Sequence, residues 1–111
     1  MPLMIEVDCV AFCKALADET RQAILQVLLQ GEKCVSDLVE AFSVSQPTIS
    51  HHLNILKNLG LVSRRKEGKH VYYSVNRDNI IECCGMLIAR FEGDPDKATR
   101  IGVIADGQPG E

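Results

Sequence analysis

The sequence is short of several features that define whole classes of protein. It has no tryptophan, and phenylalanine and tyrosine together number five in 111 residues. No apolar run is long enough to cross a bilayer, and no basic segment followed by an apolar one marks a secretory signal. The five cysteines are odd in number and lack the spacing of a secreted disulfide framework. We therefore expect a soluble cytoplasmic protein with no membrane partner, whose cysteines are thiols.

Catalytic groupings are also missing, since neither a nucleophile–base pair nor a carboxylate dyad can be recognised, and we expect no enzyme. The length fits one domain with a single core, which we assign to residues 1–92, followed by a flexible C-terminal tail over 93–111.

The net charge is −3, yet the segment from His51 to His70 holds five basic residues and one acidic residue. A basic patch on an otherwise acidic chain is typical of a nucleic-acid-binding surface.

The stretch from Ser43 to Leu61 predicts a short amphipathic helix. Ser45 is a suitable N-cap residue, and proline at position 47 is tolerated in the first turn. Apolar residues at spacings of four and three mark a buried stripe, which consists of Ile49, Leu53 and Leu56. The N-terminal half of the opposite face carries compact hydrogen-bonding groups, as in a recognition helix that meets a major groove. With Ser45, these residues are Gln46, Pro47, Thr48, Ser50, His51 and Asn54.

Three helices are predicted before this one. An apolar stripe predicts a first helix within residues 1–17, and it consists of Ile5, Cys9, Phe12 and Leu16. Asp18 is placed to cap a second helix that ends at Gly31, and Cys34 takes the N-cap position of a third, short helix. The turn between the third helix and the helix that begins after Ser45 is very short. Together these two helices predict a helix-turn-helix.

Two runs rich in β-branched and aromatic residues follow, Leu61–Arg65 and Val71–Val75. The segment Lys66–Lys69 between them contains glycine and is a turn signal, so the two runs predict a β-hairpin, which we call the wing. Basic side chains at and beside its tip would contact phosphates and add affinity more than sequence choice. They are Arg64, Arg65, Lys66 and Lys69. The alternative is a solvated hairpin without a partner.

The last predicted helix runs from about Asp78 to Phe91. Its apolar stripe consists of Ile80, Cys84, Leu87 and Phe91. A stripe this apolar is not expected to stay exposed on a small domain, and with the stripe of the first helix it predicts a dimer interface. Two-fold symmetry would place two recognition helices on a palindromic DNA site. The expected fold is mainly α with a β-hairpin wing: a winged helix-turn-helix that dimerises through its first and last helices.

Three segments resemble the bacterial arsenical-resistance and metallothionein-repressor (ArsR/SmtB) family of winged-helix repressors. They are LADETR at Leu16–Arg21, SVSQPTISHHLNILKNLGLV at Ser43–Val62, and RKEGKHVYY at Arg65–Tyr73. Glu19 stands where the family often has proline, which is a harmless change at a helix start. The resemblance implies a homodimeric repressor that binds double-stranded operator DNA without a cofactor and releases it when an inducer binds.

The resemblance says less about the inducer, because sensor sites vary within the family. One family site is a CVCDL-like motif at the start of the third helix. Here the motif reads Cys34-Val35-Ser36-Asp37-Leu38, so its second cysteine is missing. Another family site joins the last helices of the two subunits through Asp, His and Glu, but the last predicted helix has no histidine. A zinc, cobalt or nickel sensor of that second type is therefore not expected.

The thiols nevertheless favour a thiophilic inducer, with As(III) or Sb(III) first and cadmium, lead or zinc next. Cys9 and Cys13 are four residues apart and share a helix face, and Cys34 lies at a helix N-terminus, which favours the thiolate. We predict that these three cysteines form the inducer site. A site built from Cys83 and Cys84 with a first-helix cysteine is the alternative.

Other functions stay open at this point. A thiol-redox or persulfide switch would use cysteines without a metal, and cysteines that only pack in the core would leave a metal-independent regulator. A winged helix can also act as a protein–protein module without DNA. The histidines are not expected to bind metal: His51 faces DNA, His52 packs beneath its helix, and His70 belongs to the wing.

Overall fold

The computed structural model describes residues 8–92, along which five helices and three strands follow one another. In chain order they are α1 (Cys9–Leu16), α2 (Glu19–Leu28), β1 (Lys33–Cys34), α3 (Val35–Phe42), α4 (Gln46–Asn58), β2 (Val62–Glu67), β3 (His70–Val75) and α5 (Arg77–Glu92). Ile5 of the predicted first-helix stripe and the predicted tail over 93–111 lie outside the described residues. None of the helices in the described range is long and apolar enough to cross a membrane.

The chain divides into two compact units. Val10–Asn76 forms one unit and contains the helix-turn-helix and the sheet. The other unit combines the residues up to Cys9 with those from Arg77 onward, and of these Asp8, Cys9 and α5 are described. The single domain expected over residues 1–92 stays a prediction.

Side-chain caps begin the helices where the sequence predicts them. Asp18 is the N-cap residue of α2 and accepts a hydrogen bond from the Arg21 backbone N–H at 3.0 Å. Ser45 is the N-cap residue of α4 and accepts one from the Thr48 backbone N–H at 3.3 Å. Each such cap stabilises its helix by about 1 kcal/mol, because it satisfies a backbone donor that has no partner within the helix.

The larger unit has a core built around α4. The predicted stripe of this helix, Ile49, Leu53 and Leu56, is confirmed, since all three side chains are 0% exposed. Helix α4 contacts α2, α3 and β2, which contribute Ile24, Leu38 and Val62 to the same core. Full burial of one such aliphatic side chain stabilises the fold by about 1.5–3 kcal/mol. The core therefore sets the position and the rotation of α4.

The antiparallel sheet has three strands in the order β1-β3-β2, so the wing hairpin predicted from the sequence gains a third strand. The wing strands are longer than predicted, because Lys66 and Glu67 continue β2 and His70 begins β3. The predicted four-residue turn was therefore wrong. Gly68 and Lys69 alone form the loop, and Gly68 has a φ of 62°. Glycine adopts this left-handed conformation without strain, which lets the ladder continue to a two-residue turn.

Helix α5 matches its predicted bounds to within a residue at each end. Within a single chain the buried cysteine of this helix is Cys83, with 2% of its surface exposed, whereas the predicted dimer stripe contains Cys84. Cys84 is half-buried, and Phe91 at the end of the predicted stripe is 80% exposed. Helical periodicity sets the apolar face of α5, but which flank of that face becomes covered depends on what packs against it.

Candidate DNA-binding surface and thiol sites

The polar face predicted for α4 is exposed along its whole N-terminal half. Every residue predicted there to contact DNA, from Ser45 to Asn54, is exposed to solvent. The hydroxyl groups of Ser45 and Thr48 lie 2.9 Å apart at the cap, so these two side chains also hold the first turn together. A helix N-terminus presents the positive end of its dipole, which suits an anionic partner such as a phosphate.

The underside of α4 is attached to the first two helices through Arg21. Its Nη1 lies 3.1 Å from His52 Nδ1, and its Nε donates to the Ala15 carbonyl at 2.8 Å. Arginine has no acceptor, so His52 Nδ1 accepts the proton and must itself be unprotonated. Burial lowers the pKa of His52, and the Arg21 and His51 charges lower it further while Asp18 opposes them. The expectation that His52 packs beneath its helix is confirmed.

The wing has two different faces, because successive side chains of a strand alternate. Arg64 and Lys66 lie on the same face of β2 as the buried Val62, and Tyr73 and Val71 stand opposite them on β3. Both basic side chains are exposed, as is Lys69 in the loop. These three cations extend the polar surface of the same unit that carries α4.

Arg65 lies on the other face of the wing, and its surroundings differ from those of Arg64. Its Nε and Nη2 donate to the two carboxylate oxygens of Glu32 at 3.0 and 2.9 Å, and its Nη1 donates to Glu67 at 2.6 Å. Its guanidinium carbon also lies 4.8 Å from the centre of the Tyr72 ring. The hydrogen bond from Arg65 lowers the pKa of Glu32, and both carboxylates raise the pKa of Arg65. Glu32 is a partner that sequence reasoning missed, because no local pattern connects residues 33 positions apart.

The cysteines differ in their access to solvent. Cys13 is exposed, Cys34 and Cys84 are half-buried, and Cys9 and Cys83 are buried. Burial first, and then the neighbouring Cys84, Cys9 and Glu82, together raise the pKa of Cys83 to about 11. Cys83 is therefore protonated at neutral pH and is a weak soft-metal ligand unless the metal displaces its proton.

Cys34 begins α3 as predicted, and two polar groups surround its thiol. Its Sγ–H donates to the Asp37 carboxylate at 3.2 Å, and Sγ lies 3.1 Å from the Ser36 hydroxyl oxygen. The backbone N–H of Cys34 donates to the same carboxylate at 3.1 Å. These two hydrogen bonds, the backbone one first, lower the pKa of Asp37. An acid three residues after an N-cap is the capping-box pattern, so this partner was available from the sequence.

The predicted three-cysteine site is not preassembled within one chain. Over residues 8–92, no group of three or more Cys, His, Asp or Glu side chains is arranged to hold a metal ion. The set Cys9, Cys13 and Cys34 and its alternative with Cys83 and Cys84 therefore stay predictions.

A helix-turn-helix followed by a β-hairpin, with an exposed polar helix face and a basic wing, defines the winged-helix class of DNA-binding proteins. A family model described as "Bacterial regulatory protein, arsR family" matches residues 18–64. The chain belongs to the ArsR family, whose members are DNA-binding transcriptional repressors and not enzymes. The resemblance seen in the sequence and the expected winged helix-turn-helix fold are thereby confirmed.

Individual relatives are similar over the same region. A cadmium resistance transcriptional regulatory protein homolog of Staphylococcus aureus is 49% identical over 74 residues, which are 66% of this chain and 61% of the relative. An arsenical resistance operon repressor of the same organism is 44% identical over 72 residues, or 62% of this chain and 69% of the repressor. The solved homodimeric winged helix-turn-helix domain of a possible ArsR-family regulator from Mycobacterium bovis is 31% identical, with a TM-score of 0.61 over 87% of this chain and 77% of that domain.

Proposed function

We propose that this protein is a homodimeric repressor that binds double-stranded operator DNA and releases it when a thiophilic inducer binds. The observation that carries the DNA-binding part is the exposed polar face of α4, which stands directly above a stripe with no exposure at all. Because the core fixes the buried face of α4, the helix can present Gln46, Ser50 and His51 to base edges in a constant position. Arg64, Lys66 and Lys69 would bind the flanking phosphates. Because its operator lies in the cytoplasm, we assign the protein to that compartment.

Dimerisation is supported by the apolar side chains that a single chain leaves uncovered. On α5, Ile81 is 54% exposed and Phe91 is 80% exposed, and Val10 of α1 is 58% exposed. Large apolar residues are seldom left in water in such numbers on one helix, and a second copy of the chain would cover them. The homodimeric state of the similar Mycobacterium bovis domain supports the same arrangement.

The inducer is proposed from the thiols and from the names of the relatives, which are an arsenical and a cadmium resistance regulator. We place As(III) or Sb(III) first, at Cys34 with Cys9 and Cys13. Cys34 and Cys13 are the better supported ligands, because both reach solvent in a single chain. The alternative with Cys83 and Cys84 has less support, since the raised pKa of Cys83 opposes loss of its proton.

Inducer binding would change the start of α3. Each thiol that binds arsenite replaces one hydroxide of As(OH)₃, and the thiol proton leaves with that hydroxide as water. At Cys34 this step removes the hydrogen bond from Sγ to Asp37, because the proton that made the bond is gone. Cys34 also pairs with Tyr72 of the wing strand β3. A coupling of about 1–3 kcal/mol between the thiols and the DNA surface would weaken operator binding roughly 5- to 150-fold.

The test is fluorescence anisotropy of a labelled duplex selected by the wild-type protein from random sequence, under reducing conditions, with and without arsenite. Wild type, Cys34→Ser and the matched control Cys84→Ser are compared. We expect arsenite to release DNA from wild type and from Cys84→Ser but not from Cys34→Ser. Release from Cys34→Ser but not from Cys84→Ser would move the site to α5.

Two further outcomes would contradict other parts of the proposal. If arsenite releases none of the proteins although all bind DNA, the arsenical assignment fails, and cadmium, lead, zinc and then oxidants are tested in the same format. If no duplex is selected at all, or if binding has no salt dependence, the DNA-binding function itself fails.

A further inference from the structure

The four basic side chains of the wing do not share one environment. Arg64, Lys66 and Lys69 are exposed, and in the described part of the chain no acidic side chain lies within ion-pair distance of them. Arg65, in contrast, faces two carboxylates, Glu32 and Glu67, at hydrogen-bond distance. Its immediate neighbourhood therefore carries a net charge of about −1 rather than +1, which repels a phosphate instead of attracting it.

The geometry of the pair with Glu32 is specific. Two parallel hydrogen bonds join the guanidinium fork to both oxygens of one carboxylate, which is the most directional of the charge-assisted arrangements. The guanidinium is also placed over the Tyr72 ring, and Tyr72 lies directly opposite Arg65 in the register of β2 and β3. Lysine could replace neither the fork nor the stacked plane.

The position of Glu32 in the chain shows which parts of the fold its contact with Arg65 connects. Glu32 comes directly before β1, which pairs with β3 on the side away from β2. Strand β1 has only two residues, and β2 has a single buried residue, Val62. Strand β3 is half-buried from Val71 to Val75, so β2 is the strand of the wing that lacks support from the core beyond Val62. The contact between Glu32 and Arg65 reaches across β3 and ties the outer strand of the wing to the segment that leads into α3.

We infer that Arg65 is a positioning residue for DNA binding: its contacts with Glu32 and Tyr72 hold the wing in the orientation in which Arg64, Lys66 and Lys69 meet the DNA backbone. This inference rests on the proposed DNA-binding function and replaces, for Arg65, the phosphate contact expected from the sequence. It adds Glu32, an acidic residue, to the groups on which DNA affinity depends.

The direction in which Glu32→Gln changes DNA affinity distinguishes a positioning role of Arg65 from simple attraction to phosphate. Glu32→Gln makes the protein more positive by one charge per chain, and simple attraction to phosphate predicts tighter DNA binding. A positioning role predicts the opposite, a loss of about two- to fivefold, because the wing loses its tether. The matched control is Glu40→Gln on α3, which changes the net charge equally at an exposed carboxylate and should leave affinity unchanged or slightly increased.

A second pair of variants keeps the charge constant. Arg65→Lys retains the cation but loses the fork and the stacked plane, whereas Arg64→Lys retains a cation at a position with no described ion pair. Affinity for the selected duplex is measured between about 50 and 200 mM salt. We expect Arg65→Lys to weaken binding about two- to fivefold, with the salt slope of the wild type, and Arg64→Lys to change it less. Tighter or unchanged binding by Glu32→Gln, or equal effects of the two lysine variants, would overturn the inference.

Hydrogen exchange of the DNA-free protein makes this test independent of the proposed function. Arg65→Lys and Glu32→Gln should speed exchange of the backbone amides of β2 and β3, and Arg64→Lys and Glu40→Gln should not. Unchanged exchange in Arg65→Lys and Glu32→Gln would overturn the tether even if DNA affinity falls. If the wild type binds no DNA while exchange responds as expected, the proposed function fails and the tether stands as a structural feature of the wing.

Discussion

Helix α4 and the wing are the two parts of the surface proposed to meet DNA, and they are held in place by different forces. Three side chains of α4, at positions 49, 53 and 56, have no exposure, whereas β2 buries Val62 alone. Apolar burial, unlike an interaction between charges, is not weakened by ionic screening. Exposed ion pairs are weak and are screened by salt. The comparison indicates that the core fixes the position of α4, whereas the orientation of the wing depends on ion pairs and can change with ionic conditions.

One arginine supports each of these two elements, and the arginine under α4 is less exposed than the arginine on the wing. Arg21 supports α4 through His52 and has 14% of its side chain exposed, while Arg65 supports the wing through Glu32 and has 49% exposed. The half-buried Arg21 is bonded to a carbonyl and a neutral imidazole, with the Asp18 carboxylate 4.0 Å away, whereas the exposed Arg65 is bonded to two carboxylates. Changes in the core should therefore affect α4 through stability, and changes in ionic conditions should affect the wing first.

The largest expected effect is the loss of core packing under α4. Leu53→Ala leaves a cavity at a site with no exposure, so we expect the free energy of unfolding to fall by about 2–5 kcal/mol. Urea unfolding followed by far-ultraviolet circular dichroism measures it. The matched change in the wing is Val71→Ala, at a half-buried position of β3, which should cause a clearly smaller loss. Equal losses in the two variants would contradict the contrast between the elements.

An intermediate effect is expected at the start of α4. Ser45→Ala removes the side-chain acceptor for the Thr48 backbone N–H, and we expect a loss of about 1 kcal/mol in unfolding free energy. Ser50→Ala is the control, because Ser50 is an exposed serine of the same helix, and its effect should stay within about 0.5 kcal/mol. The same urea titration reports both. A Ser45 variant no less stable than the Ser50 variant would show that the cap does not hold the helix.

The smallest expected effect is a dependence of stability on pH that comes from His52. Because the folded state lowers the pKa of His52, the unfolded chain takes up a proton first as the pH falls below about 6.5. Stability from the neutral imidazole is therefore fully present above that pH and declines as the pH falls through the range down to the folded-state pKa. Urea midpoints compared at about pH 7.5 and 5.5 should differ less in His52→Gln than in wild type. His51→Gln, which alters the exposed neighbour, should keep most of the wild-type difference.

Local patterns were sufficient for most of the elements and for several functional positions. The caps at Asp18 and Ser45, the buried stripe of α4 and the hairpin followed from residue type and spacing, because these features depend on neighbours within four positions. The face expected to contact DNA followed from the same stripe, since exposure on one side of a helix is the complement of burial on the other. Strand β1 was missed, because a two-residue strand carries no periodicity and exists through its pairing with β3.

The cysteines and the basic wing residues show where such reasoning ends. Periodicity placed Cys84 in the stripe predicted to face a second copy of the chain, but it did not show that packing within one chain buries the adjacent Cys83. Composition treated Arg64 and Arg65 alike, although alternation along a strand sends them to opposite faces and only one of these faces carries Glu32 and Glu67.

The amino-acid sequence alone thus determined the helices, the hairpin and the polar face of α4, since each depends on short-range pattern, and its resemblance to known repressors indicated the family. Tertiary structure decided which thiols reach solvent and which cations are already paired. The physical reason is that exposure and charge pairing depend on residues far away in the chain, such as Glu32 for Arg65 and Arg21 for His52.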